Sequence, residues 1–160
     1  MAKVSVSRSG MQRSVVRNAV KPGEVFSLVK RNGTVGRKLY MALGNNGRLY
    51  SINLENGALA GTGKPSKTVA IVGKGHVTPT YYGRTDGRRI ATTRVNVKSG
   101  DIFQHKDSDK SYLALGTLKD GRFASVNMAD PFNDDYAVGT NAKSHVTVIG
   151  HAEFHAQVAA

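Results

Sequence analysis

His151, Glu153 and His155 occupy alternate positions in the run His151-Ala152-Glu153-Phe154-His155, and His145 lies close by in sequence. In an extended strand alternate side chains share one face, so two imidazoles and a carboxylate would come together there. Imidazole nitrogen and carboxylate oxygen are ligands for borderline divalent ions, and these three residues are the chain's weak candidates for a metal. The spacing is not that of a helical HExxH site, and a polar C-terminal tail accounts for it more simply, so no metal is expected.

The other chemical patterns fall away on inspection. Gly61-Thr62-Gly63-Lys64-Pro65-Ser66 has the look of a phosphate loop, but Ala58 stands where the first glycine is required and Pro65 where Ser or Thr must follow the lysine. Asp107 and Asp109, and Asp130, Asp134 and Asp135 in the DPFNDD stretch, cluster without the oxygen spacing, central glycine or terminal Glu of a calcium loop. Serines and histidines are present, but no GxSxG marks a nucleophile elbow. The chain has no cysteine, which removes disulfides, thiolate metal sites and Cys nucleophiles. The expectation is a protein that is not an enzyme and needs no cofactor.

What remains is charge. Lys and Arg number 23 against 11 Asp and Glu, a net charge of +12. They are unevenly spread: residues 1–98 carry 18 cations against three acids, and residues 99–160 five against eight. A basic field attracts nucleic acid, an acidic protein surface or an anionic membrane without choosing between them, and no membrane partner is expected here. The candidates for contact with an anionic partner are Arg8, Arg13, Arg17, Lys30, Arg31, Arg37, Lys38, Arg84, Arg88, Arg89 and Arg94, most of them at predicted hairpin tips. Tyr81 and Tyr82, beside Arg84, are candidates for stacking on bases, one ring facing the core and the other facing out. Tyr50 is a further exposed candidate, whereas Phe26, Phe103, Tyr40, Tyr112 and Phe123 sit in apolar strand patterns and are assigned to the core.

The elements that must carry these residues come in two matching sets. Sliding the sequence on itself by about 77 residues superposes VKPGEVF on VKSGDIF, YMALG on YLALG, GRLYSINL on GRFASVNM and VAIVG on VTVIG. Strand periodicity dominates each copy: Lys3 to Ser7 alternates, and Glu24 to Val29, Leu39 to Leu43, Leu49 to Leu54 and Thr68 to Val72 are short apolar or alternating runs. Asn-Gly and Gly-rich stretches separate them, Asn46-Gly47 being a hairpin signal. The segment from Met11 to Val20 has an apolar stripe of helical spacing, but its counterpart from Ile90 to Val97 alternates and is rich in Thr and Val, so both are assigned to strands.

The expected fold is all-β: two tandem copies of a small SH3-like or OB-like β-barrel or bent sandwich, a strongly basic module at 1–75 and a second at 76–160 whose first hairpin is basic and remainder acidic. The N-terminus lacks an apolar stretch of signal-peptide length, and no run of about 18 apolar residues occurs, so a soluble protein, cytoplasmic or virion-associated, is expected. Duplicated β modules with opposite charge at their ends suit a structural or assembly protein, such as a decoration protein of a phage capsid, and make self-association natural. The alternatives are a sequence-independent DNA- or RNA-binding protein using residues 1–98, and an inhibitor that occupies an acidic groove of a host protein.

Overall fold

The computed structural model describes residues 3–8, 13–43, 50–61, 65–118, 120–131, 137–139 and 141–158. The chain is all-β and forms a curled, mainly antiparallel sheet shaped as a half-barrel. Its strands are β1 (Lys3–Arg8), β2 (Arg13–Val16), β3 (Glu24–Leu28), β4 (Tyr40–Ala42), β5 (Tyr50–Asn53), β6 (Ala58–Gly61), β7 (Thr68–Tyr81), β8 (Ile90–Thr93), β9 (Asp101–His105), β10 (Ser111–Thr117), β11 (Phe123–Asn127), β12 (Ala137–Gly139) and β13 (His145–Val158). The turn expected at Asn46-Gly47 and the acids Asp134 and Asp135 lie outside the described residues, as does the centre of the Gly61–Ser66 loop.

The order along the sheet is β12-β11-β10-β9-β13-β7-β3-β4-β5-β6. Two strands of 14 residues, β7 and β13, form its spine. They pair antiparallel over Gly73–Pro79 and Ala152–Val158, with Val77 opposite Phe154. The free half of each spine strand carries one arm: β2 and β3 flank the start of β7, and β8 and β9 flank the start of β13. The sequence indicates only the apolar start of β7, Thr68 to Val72. The strand runs nine residues further because cross-strand pairing with β13 supplies the hydrogen bonds that its polar, glycine-bearing second half cannot justify by pattern alone.

The strand assignment over Met11–Val20 and Ile90–Val97 needs correcting at its second half. β2 and β8 each end in a 3-10 turn, Arg17–Ala19 and Arg94–Asn96. The apolar spacing had two periods because the chain changes conformation midway, tucking Arg17 and Arg94 inward.

One central core spans both arms, from Val25, Met41 and Ile52 to Ile102, Leu113 and Phe154. The inward face of the pleat is visible in β13, where Ala152, Phe154, Ala156 and Val158 are buried at alternate positions. Each arm adds a small core of its own, built on Phe26, Val69 and Ile71 in one and on Phe103, Val146 and Val148 in the other. The boundary expected near residue 75 therefore falls inside β7, within a sheet that is continuous across it.

β1 lies parallel to β13 along Glu153–Val158, on the edge opposite β7. The matching edge of β7, from His76 to Tyr81, has no strand beside it among the described residues. Pro79 sits in that edge at the place that Ala156 takes in β13. No helix among the described residues is long and apolar enough to cross a membrane.

Candidate partner-binding surface

The β3–β4 hairpin projects a first group of cations. Past the bridge between Val29 and Val35 the chain turns tightly, the Thr34 carbonyl accepting from Lys30 N at 2.8 Å and the Asn32 Oδ1 accepting from Thr34 N at 3.0 Å. Lys30, Arg31, Arg37 and Lys38 are all exposed around this tip. None of them forms an ion pair among the described residues.

A second group occupies the loop between β7 and β8. Asp86 organises it: its Oδ1 accepts from Arg88 N at 2.9 Å and from Arg88 Nε at 3.1 Å, and its Oδ2 accepts from Arg88 Nη2 at 2.8 Å. The Arg88 guanidinium, thus clamped, lies 4.4 Å from the centroid of the Tyr82 ring. Arg84 and Arg89 are exposed, with Arg89 Nη1 reaching the Tyr82 carbonyl at 3.4 Å. Leu28 pairs with Val69 near the start of β7, and this loop follows its end, so the two cationic groups stand about 40 Å apart along the strand. The structure does not gather the predicted cations into one patch.

The hydrogen bonds from Arg88, side chain first and then backbone, hold the Asp86 carboxyl down at about 2. A carboxylate with a depressed value stabilises the native loop above the ordinary carboxylate range, and that contribution is lost as pH falls through about 2. A side-chain carbon NMR titration should therefore show Asp86 titrating near that value, and Asp86→Asn should return it to ordinary loop behaviour with Arg88 released from the Tyr82 ring.

Several predicted residues have other duties. Arg13 Nη2 pairs at 2.9 Å with Glu24, a carboxylate that also accepts from Lys21 N at 2.7 Å. Arg17 and Arg94, counted among the surface cations by sequence, are 1 % and 7 % exposed, which removes them from any surface patch. Each begins a 3-10 turn and sits against the phenylalanine of its arm's core, at 4.6 Å from the Phe26 centroid and 4.8 Å from that of Phe103. Burial lowers both guanidinium values, Arg17 to about 10, so both remain cations at neutral pH. Arg8 ends β1, and its side chain is outside the described part of the molecule, as is that of Tyr50.

Of the two tyrosines, Tyr81 is the outward one at 54 % exposure. Tyr82 is half-buried, its hydroxyl 2.9 Å from His151 Nδ1 and its ring under Arg88. The candidate metal residues divide in the same manner. His151 is engaged with Tyr82, while His155 stacks on His76 at 4.9 Å across the spine and lies 3.9 Å from Glu153. Among the described residues no three His, Cys, Asp or Glu side chains converge as a metal site. Sequence reasoning missed the burial of Arg17 and Arg94, for which the only signal was an arginine amid the apolar stripe. Comparison of the chain with protein-family models, with curated proteins and with solved structures gave no match.

Proposed function

We propose that this chain is a non-enzymatic structural or assembly protein, built from a duplicated β module, that docks on the acidic surface of a repetitive particle. The observation that carries this reading is how the cations and rings are divided. Lys30, Arg31, Arg37, Lys38, Arg84 and Arg89 are presented to solvent at loop tips, while Phe26 and Phe103 are buried and Tyr40, Tyr112 and Phe123 half-buried. Charge is offered outward with few stacking platforms, which suits a carboxylate-bearing protein face better than a single strand of nucleic acid. Two cationic groups far apart suit a lattice, where one molecule bridges neighbouring subunits, and a viral capsid is such a lattice by analogy.

The duplication is supported by local chemistry repeated at the sequence period. Gly23 and Gly100, with φ of 87° and 94°, each turn the chain into the next strand and accept at their carbonyls from Gly75 N and Ala152 N. Glu24 and Asp101 each accept from a backbone N–H three residues earlier. Val77 and Phe154, which face each other in the spine, are themselves one period apart, as expected for a two-fold relation between copies.

A second reading, sequence-independent nucleic-acid binding, draws on exposed Tyr81 beside Arg84. Binding to immobilised polyglutamate and to random-sequence duplex and single-stranded DNA, measured across salt, separates the two. Docking predicts salt-sensitive polyglutamate binding, weakened about tenfold or more when Lys30, Arg31, Arg37 and Lys38 are changed together to Gln. Strong DNA binding with a log–log salt slope near about −5, the release expected for roughly six phosphates, favours the second reading.

A further inference from the structure

The second arm holds a cleft of about 190 Å³ whose lining includes Arg94, Phe103, His105, Tyr112, Phe123 and Ser144. We propose that this cleft binds the carboxylate of an organic monoanion, held by the N–H groups of Arg94 with its apolar portion against Tyr112 and Phe123. The site is distinct from the loop-tip cations and does not depend on the docking reading.

The first ground is a buried charge with no carboxylate partner among the described residues. Arg94 is 7 % exposed, yet among the described residues no carboxylate pairs with it. Its one side-chain hydrogen bond there, Nη2 to the Ala124 carbonyl, is long at 3.4 Å. A guanidinium carries five N–H donors, and a buried cation without a partner is costly, so an anion entering the cleft would meet unspent donors in a site already stripped of much of its water.

The second ground is geometry. The Arg94 Cζ lies over both the Phe103 and Phe123 rings, 4.8 Å and 4.7 Å from their centroids, which holds the guanidinium against this wall. Phe103, His105 and Tyr112 contact one another at centroid distances of 5.6 to 5.9 Å, making a wall whose shape is set before any ligand arrives. Ring contacts of this kind use the face of a guanidinium and do not consume its N–H donors, which match a carboxylate's pair of oxygens.

The third ground is charge matching. One buried cation neutralises one negative charge, whereas a phosphate monoester at neutral pH would leave most of a second unpaired in the cleft. The fourth is contrast between the arms. Leu28 and Leu49 stand in the first copy's sequence where the second has His105 and Phe123, so these two wall positions differ between the copies while Phe103 and Tyr112 match Phe26 and Tyr40.

The test is an NMR titration of the full chain with benzoate, benzamide, inorganic phosphate and a capped peptide bearing one Glu beside a Phe. The expected result is saturable shifts at Arg94 Nε, Phe123 and Ser144 with benzoate and none with benzamide. Arg94→Lys keeps the charge but loses the fork and should weaken benzoate about tenfold. Because that substitution touches the arm's core, Phe123→Leu provides a second variant, expected to weaken binding several-fold while the spectrum stays folded. Tighter binding of the peptide than of benzoate assigns the carboxylate to a partner chain, and the reverse order to a free small acid; either supports the cleft. Equal shifts from benzamide, tighter binding of phosphate, or shifts confined to Lys30–Lys38 and Arg84–Arg89 would each overturn it.

Discussion

Phe154→Ala should destabilise the protein by about 4 kcal/mol and lower its melting temperature by roughly 8–16 °C. Phe154 is 2 % exposed and lies in the central core to which both arms contribute. It also faces Val77 within the β7–β13 pairing, so the cavity left by truncation would open where the two arms meet along the spine. Its neighbours are strands held by ladders on both sides, which limits collapse into the void and puts the cost at the upper part of the usual range. Urea unfolding followed by circular dichroism checks this, with exposed Val95→Ala as the comparison, expected within about 0.5 kcal/mol. A loss below about 1 kcal/mol for Phe154→Ala would refute the shared core.

Gly73→Ala is expected to cost at least about 3 kcal/mol, by an opposite mechanism. A Cβ at Gly73 would run into the carbonyl of Gln157 on β13, backbone that no rotamer change can move aside. Gly150 is placed likewise against the Thr80 carbonyl. Both glycines let the spine strands approach where irregularities in register bend them: β3 shifts against β7 between Val25 and Phe26, and β13 against β9 between Val148 and Gly150. Gly83→Ala and Gly87→Ala, where an added Cβ meets nothing within 4 Å, should leave the melting temperature almost unchanged. A Gly73→Ala protein as stable as those controls would mean that the spine is less tightly joined than its pairing indicates.

The strand content was legible because short alternating runs separated by Asn and Gly leave few other solutions, and β3, β4 and β5 fall within a residue or two of the apolar runs that announce them. The length of β7 was not, since residues such as His76 and Thr78 become strand only through His155 and Glu153 on β13, distant partners in sequence. The placement of the cations was partly legible. Tip residues such as Lys30 and Arg31 are outward because a hairpin turn has no interior, whereas Arg17 looks equally polar and is almost wholly enclosed. Nothing in residue type tells an arginine that caps a small core from one that meets solvent; only the 3-10 turn that redirects the chain does so. Arg88 and Arg13 illustrate a related limit, because their carboxylate partners Asp86 and Glu24 lie close in sequence or far from it with equal effect.

The open edge of β7 bears on the molecule's dealings with copies of itself. Gly75 N points to Gly23 on the outer side of the strand, so by alternation the outward backbone groups of the next stretch belong to Val77, Pro79 and Tyr81. A strand laid there as β1 is laid on β13 would find carbonyls at all three places but no N–H at Pro79, where Ala156 offers one. The N-terminal strand thus meets two similar berths, and a single missing hydrogen makes them unequal. In the language of polymer growth, the chain carries one end that is satisfied internally and one that is poisoned, so a neighbour's β1 gains too little by adding there for copies to propagate into fibres.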